Sequence, residues 1–244
     1  VLETAPMIRE AQKERQLLKS VLPPINRAGW PFIAIFAGLS LAAAWFSEPM
    51  GWAGAVLTLW CTYFFRDPAR VTPVRAGLVI SPADGVIQSV GPAEAPQELK
   101  MEGQALNRIS VFMNVFDVHV NRMPLAGKIE DVQYRPGKFF NASLDKASEH
   151  NERQSIRLKT EGGESFGVVQ IAGLVARRIK CDVTPGQEMQ AGERFGLIRF
   201  GSRVDVYLPQ SVPALVAVGQ RAIAGETVIA DIHAQEEPRQ GEVR

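Results

Sequence analysis

Pro185-Gly-Gln-Glu-Met-Gln-Ala-Gly-Glu193 and Val218-Gly-Gln-Arg-Ala-Ile-Ala-Gly-Glu226 carry Gly-Gln and Ala-Gly-Glu at the same offsets, and this echo decides how the second half of the chain folds. Glycines at matched places permit tight strand reversals, so each copy reads as the turn of one half of a repeated β unit. Between the copies, alternation in Arg203-Val-Asp-Val-Tyr-Leu208 puts Val204, Val206 and Leu208 on one face and Arg203, Asp205 and Tyr207 on the other. The pattern predicts a strand with one core face and one wet face. Leu78-Val-Ile80, Val86-Ile87 and residues 109–120 and 167–171 read as further strands, separated by Gly, Pro, Asn and Asp. Only residues 148–157 suggest a polar helical turn. The expected fold class is mainly β, a compact barrel- or sandwich-like domain over residues 66–244.

The two turns resemble those of lipoyl- and biotinyl-carrier sandwiches. A carrier needs a modifiable lysine at the hairpin between its halves, and no lysine follows Lys180. Gly201-Ser202 stands there instead. A Gly-Ser pair is in general a turn signal, so any chemistry at Ser202 requires partners elsewhere.

The N-terminal part has a different texture. Residues 1–27 mix Arg9, Lys13, Arg15, Lys19 and Arg27 with apolar positions, as a basic amphipathic surface segment does. Residues 28–47 hold no charge, and after Glu48 a second uncharged stretch runs to Phe65. Residues 28–65 therefore read as a hairpin of two short membrane helices, each near the ~17–25 residues a span requires. Trp30, Trp45, Trp52 and Trp60 all fall in this window, mostly near its ends. Arg9 to Arg27 before it and Arg66, Arg70 and Arg75 after it place both flanks in the cytoplasm by the positive-inside rule. The expected location is the cytoplasmic face of the inner membrane.

Lys+Arg 27 against Asp+Glu 26 gives a net charge of +1, which excludes the global basic field of a nucleic-acid binder. Cys61 and Cys181 have neither disulfide-framework nor metal-ligand spacing, so no metal is expected. Oligomeric state stays open, a homo-oligomer included.

Three histidines are present. His233 and His150 lie among polar neighbours and read as surface. His119 falls in Val115-Phe-Asp-Val-His-Val-Asn-Arg-Met-Pro124, where alternation groups Asp117, His119 and Asn121. A strand histidine is often structural, but this one has a base's neighbourhood. Ser81-Pro-Ala-Asp-Gly85 holds Asp84 in a turn. The plain reading is an aspartate bonding its own backbone; the functional one has Asp84 orient His119 while Ser202 attacks.

In order along the chain, Phe64-Phe-Arg-Asp-Pro68, Ser81-Pro-Ala-Asp-Gly85, Phe116-Asp-Val-His-Val-Asn-Arg-Met-Pro124, Gly137-Lys-Phe-Phe-Asn-Ala142, Asn151-Glu-Arg153 and Phe200-Gly-Ser202 resemble the motifs of phosphatidylserine decarboxylases, in their shorter bacterial and archaeal form. The resemblance implies a proenzyme that cuts itself between Gly201 and Ser202 into a β chain (1–201) and an α chain (202–244). It further implies that Ser202 becomes a pyruvoyl group, the covalent cofactor. That carbonyl forms a Schiff base with the substrate amine and serves as the electron sink for decarboxylation. The same resemblance makes His119 the processing base, with a role open in decarboxylation, and Asp84 its acidic partner. Phe139, Phe140 and Asn141 match a substrate-pocket motif, and Arg122 replaces a second histidine found in longer relatives, where it would meet a phosphate or carboxylate. The implied partner is a membrane phospholipid. An archaetidylserine-type or other pyruvoyl-dependent decarboxylase is an alternative, and a membrane-tethered carrier-like β-sandwich binding module is the alternative outside enzymes.

Overall fold

The computed structural model describes residues 23–137, 150–173, 178–199, 201–237 and 239–242. The chain divides into two compact units, Val1–Ala69 and Arg70–Arg244. The expected basic segment over residues 1–27 lies largely outside the described residues.

In the first unit, α1 (Trp30–Phe46) and α2 (Glu48–Phe64) are joined through Ser47. Proline near each helix start fits because the first turn needs no N–H from that position. The helices pack closely through small residues, with Ser40 Oγ donating to the Gly51 carbonyl at 3.1 Å. Trp45, Phe46, Leu41 and Trp52 are exposed. Arg27–Phe46 is long and apolar enough to cross a membrane. The chain enters and leaves the hairpin side by side: Ile25 bridges Arg66, and the Asn26 N–H donates to the Phe65 carbonyl at 2.8 Å.

The second unit is mainly β, as expected. Its strands are β1 (Leu78–Ile80), β2 (Gly85–Pro92), β3 (Leu106–Met113), β4 (Val120–Arg122), β5 (Gly127–Arg135), β6 (Arg153–Lys159) and β7 (Ser165–Ala172). There follow β8 (Ile179–Cys181), β9 (Glu188–Met189), β10 (Arg194–Ile198), β11 (Ser202–Pro209), β12 (Arg221–Ala222) and β13 (Val228–Asp231). An eight-stranded sheet runs β12-β2-β3-β11-β7-β6-β5-β9, with a three-stranded sheet β4-β10-β8 and the pair β1-β13. All pairings are antiparallel.

The echoed turns occupy equivalent places. The Gly186 N–H donates to the Ile129 carbonyl and the Gly219 N–H to the Ile87 carbonyl, both at 2.8 Å; Ile129 and Ile87 return bonds to the carbonyls of Gln187 and Gln220. Gly186 and Gly219 have φ of 89° and 91°, a backbone that glycine adopts without a Cβ penalty. The repeat extends to a second pair of segments. Ser81-Pro-Ala-Asp-Gly-Val-Ile87 and Met123-Pro-Leu-Ala-Gly-Lys-Ile129 share Pro, Gly and Ile, and they cross: the Ile80 N–H donates to the Pro124 carbonyl at 2.7 Å and the Arg122 N–H to the Pro82 carbonyl at 2.9 Å. In this internal match Asp84 stands opposite Ala126.

Three expectations change. Residues 109–120 are not one strand: β3 ends at Met113, a turn holds Asn114 to Asp117, and β4 starts at Val120. Residues 153–157, expected in a helical turn, belong to β6, while 148 and 149 lie outside the described residues.

The outer face of β11 is also not wet. Arg203, Asp205 and Tyr207 are buried at 0%, 0% and 2% exposure. The segment between β2 and β3 packs over this face, bringing Leu99 and Met101 against Leu106 of β3, Val169, Ile171 and Tyr207 in a second small core. Salt bridges strap that cover down: Glu98 takes Arg153 at 2.7 Å and Arg135 at 3.1 Å, and Lys100 reaches Asp131 at 2.7 Å. The Lys100 bond leads the forces that hold the Asp131 carboxyl below its ordinary pKa. Asp205 compensates Arg203 across a 2.8 Å ion pair. Burial, and then the Asp205 charge, push the Tyr207 hydroxyl up to about 12.

Candidate active site around the Gly201–Ser202 bond

Ser202 is the first residue of β11 and is fully buried. It pairs with Met113 of β3 on one side and Ala172 of β7 on the other, in the centre of the large sheet. Gly201, just before it, has φ of 68°, and nothing lies within 4 Å of where a Cβ would stand. The preceding amide therefore turns sharply at the entrance to the strand, in a conformation that favours glycine.

His119 meets this turn directly. Its Nε2 accepts the Gly201 N–H at 3.3 Å, while its Nδ1 lies 3.0 Å from the Asp117 main-chain oxygen. A carbonyl only accepts, so Nδ1 carries the proton and Nε2 is the basic nitrogen. The ring is wholly buried, and the Ile198 N–H donates to the His119 carbonyl at 3.3 Å. Asp117 is fixed in turn by the Asn114 N–H at 2.9 Å and by an ion pair to Arg221. The turn that interrupts the expected strand is thus what aims the histidine.

Asp84 immediately precedes β2, whose Val86 pairs with Phe112 of β3, next to the Met113 that pairs with Ser202. Its Oδ2 takes Arg70 at 2.6 Å and its Oδ1 takes the Ala224 N–H at 2.8 Å. The matching turn in the other half forms with Ala126, so the turn itself does not require a carboxylate. This weakens the plain reading of Asp84 as a turn residue. Arg122 is buried and donates to the Gly192 carbonyl at 2.8 Å. It also packs where a side chain on Gly225 would lie, beside the Ala224 that holds Asp84.

On the inner face next to Ser202 a short polar chain was missed in the sequence. Gln170 Nε2 donates to Asn121 Oδ1 at 2.8 Å, and Asn121 Nδ2 contacts the Met113 sulfur at 3.6 Å, which lies 3.9 Å from Ser202 Oγ. Gln170 Oε1 is buried and has no hydrogen-bond partner among the described residues. The alternation in 167–171 held the signal, since a glutamine facing a core needs a polar neighbour. Phe139, Phe140 and Asn141 lie outside the described residues, as does Phe200. His150 and His233 are exposed. Among the described residues no group of His, Cys, Asp and Glu is placed to hold a metal ion.

A buried serine opening the central strand of a mainly β domain, with a histidine acceptor on the amide ahead of it, is the arrangement of an enzyme with an internal nucleophile. The model of the family "Phosphatidylserine decarboxylase" matches residues 57–230. A phosphatidylserine decarboxylase proenzyme of Paramagnetospirillum magneticum is 60% identical over 230 residues, covering 93% of this chain and 95% of that protein. A proenzyme of the same description from Cereibacter sphaeroides is 54% identical over 228 residues, covering 93% and 98%. The chain belongs to the phosphatidylserine decarboxylase family. It is an enzyme, and the carrier-like binding-module alternative is set aside.

Proposed function

We propose that this chain is a self-processing decarboxylase that converts phosphatidylserine to phosphatidylethanolamine and carbon dioxide. The observation that carries the reading is the His119 Nε2 acceptor on the Gly201 amide, beside a buried Ser202, in a chain of this family. Ser202 Oγ attacks the Gly201 carbonyl carbon, and its proton passes to His119 Nε2. The peptide C–N bond breaks as an ester forms, and the freed nitrogen takes a proton. Removal of the residue 202 α-proton then expels the Gly201 carboxylate and leaves a carbon–carbon double bond; a proton returned to Cβ gives an imine, and water replaces the imine nitrogen, releasing ammonia. What remains at residue 202 is a pyruvoyl cap, and the cut chain consists of residues 1–201 and 202–244.

Once formed, that group supplies a carbonyl able to accept the electron pair left by a departing carboxylate, which no ordinary side chain does. The surroundings fit it. The site is buried, and Asn121 and Gln170 Oε1, which has no hydrogen-bond partner among the described residues, bring polar groups to the same face of the sheet. Asp84 supports the charge of His119 during processing, and Arg122 steadies the turn holding Asp84. Phe139, Phe140 and Asn141 are proposed to line the lipid side of the pocket.

The hairpin of residues 28–65 is proposed to hold the enzyme at the cytoplasmic face of the inner membrane, where its substrate lies. Entry and exit strands bonded side by side support placing both flanks on one side. A 17-residue helix is about 25 Å long, a little short of the roughly 30 Å hydrocarbon core, so these helices suit a thin or shallow span. Incubating the purified protein with phosphatidylserine and measuring carbon dioxide release tests the activity. An intact, uncut chain that releases carbon dioxide would contradict the mechanism.

A further inference from the structure

Asn121 and Gln170 are fully buried polar residues set in an apolar layer. Gln170 of β7 pairs with Val204 of β11, two places along from the Ala172–Ser202 pair. Residues two apart on a strand share a face, so Gln170 lies on the face of Ser202. Val111, Met113, Val168, Ala172 and Val204 of the main core surround it. Gly196 of β10, the ladder partner of Asn121, makes room for the amide: a Cβ there would stand 3.0 Å from Gln170 Nε2 and would also press on the Lys180 carbonyl oxygen.

The sulfur end of this polar relay fixes the order of its donors. A thioether accepts hydrogen bonds weakly and has none to give. Asn121 must therefore turn its NH2 to Met113, at 3.6 Å, and its Oδ1 to Gln170, whose NH2 donates at 2.8 Å. Gln170 Oε1 is then the acceptor left with no hydrogen-bond partner among the described residues. The Ser202 hydroxyl, 3.9 Å from the same sulfur, likewise gives it the proton side and keeps its lone pairs turned away. A half-satisfied amide in a core is worse for stability than an apolar side chain of the same size. Stability therefore does not account for the relay, and its far end meets Ser202.

We propose that Gln170 and Asn121 are positioning residues for self-processing, which hold the Met113 sulfur against the Ser202 hydroxyl. The proposal rests on the reading that Ser202 is the nucleophile. In that step Oγ bonds to the Gly201 carbonyl carbon, the hydroxyl proton passes to His119 Nε2, and the peptide C–N bond then breaks. A weak acceptor suits it, because the hydroxyl is oriented while its proton stays easy to remove. Without the sulfur, Oγ spreads over the three staggered positions of its side chain.

The test follows cutting of the freshly synthesised full chain on denaturing gels, and melting of each variant in a Ser202→Ala background, where no cut is expected. Met113→Leu should cut about threefold to tenfold more slowly, with an unchanged pH for half-maximal rate and a near-normal melting temperature, since the two side chains are similar in volume. Gln170→Leu or Asn121→Leu alone should slow cutting at least as much and lower the melting temperature, because each leaves a buried amide group unpaired. The Gln170→Leu/Asn121→Leu double variant separates the two effects: with both polar partners gone the melting temperature recovers, while cutting stays slow. Cutting that recovers together with stability makes the pair structural and overturns the proposal, as does wild-type cutting in Met113→Leu. A shifted pH midpoint in Met113→Leu also contradicts it, since the effect would then run through His119. If the double variant does not fold, Met113→Leu decides alone by the same comparison of rate with melting. Failure of the Ser202 reading is separable, because it shows as a Ser202→Ala chain that still cuts.

Discussion

His119 Nε2 lies 3.3 Å from the Gly201 nitrogen and accepts its N–H, one residue ahead of the buried Ser202. Nε2 is therefore held at the amide one peptide unit ahead of the bond that the proposed mechanism breaks, and the protonated Nδ1 is turned toward the Asp117 carbonyl. Replacing His119 by Ala removes the proposed base and the acceptor that the Gly201 N–H meets. Self-cleavage should slow by about 10²- to 10⁴-fold, followed on denaturing gels after synthesis of the chain. Cleavage at the wild-type rate would place the base elsewhere.

Asp84→Ala tests the internal repeat and the site together. Because the counterpart turn forms with Ala126, the fold should survive, at a cost of about 1–3 kcal/mol from the lost Arg70 pair and the Ala224 N–H left without its acceptor. Processing should nevertheless slow by at least tenfold. A variant that cuts normally would return Asp84 to a structural role.

Gly201→Ala places a Cβ where there is space but where φ is 68°. Strain of about 1–2 kcal/mol is expected, relieved by a shift of the amide away from His119. The measurable outcome is slower cutting with a near-normal melting temperature. A large drop in melting temperature would instead mean that the turn supports the fold as a whole.

The outer face of β11 makes a prediction in alkali. Tyr207 titrates near 12, chiefly because it is buried, whereas an unfolded tyrosine titrates near 10. The folded state holds its proton more tightly. The stability this gives is complete below about pH 10 and is lost as pH rises toward 12, by about 1.4 kcal/mol per unit. Denaturant midpoints between pH 9 and 12 should fall less steeply in Tyr207→Phe. Equal slopes would argue that Tyr207 is not buried in solution.

On the same face, Arg203→Met should cost about 3–5 kcal/mol by leaving Asp205 buried without its partner. Replacing both by apolar residues should recover much of that loss, as chemical denaturation would reveal. A single variant as stable as the wild type would refute the buried pair.

Much of this architecture was visible in the residues. The Gly-Gln and Ala-Gly-Glu echo marked two equivalent turns because only certain residues tolerate positive φ, and glycine leaves that signature in sequence. The cover over Arg203, Asp205 and Tyr207 left no such mark. Alternation reports which faces of a strand differ, not whether the polar face meets water, and here a Pro- and Glu-containing connector brings Leu99 and Met101 over it. At the site, Ser202 and His119 stood out through their neighbours. The turn at Asn114–Asp117 was hidden inside a run of β-prone residues, and the Asn121–Gln170 bond joins positions far apart in the chain, which no local pattern connects. The match of Asp84 with Ala126 emerged only once main-chain bonds paired Pro82 with Arg122 and Pro124 with Ile80.

The central claim is that Ser202 gives up its identity when the chain cuts itself. Intact-mass measurement of the purified active enzyme, with and without borohydride reduction, tests it directly. The prediction is two chains divided between Gly201 and Ser202, the shorter one lacking a free amino terminus and gaining the mass of two hydrogens on reduction. A single chain of full mass with undiminished activity, or a fragment that begins with unmodified serine, would contradict it.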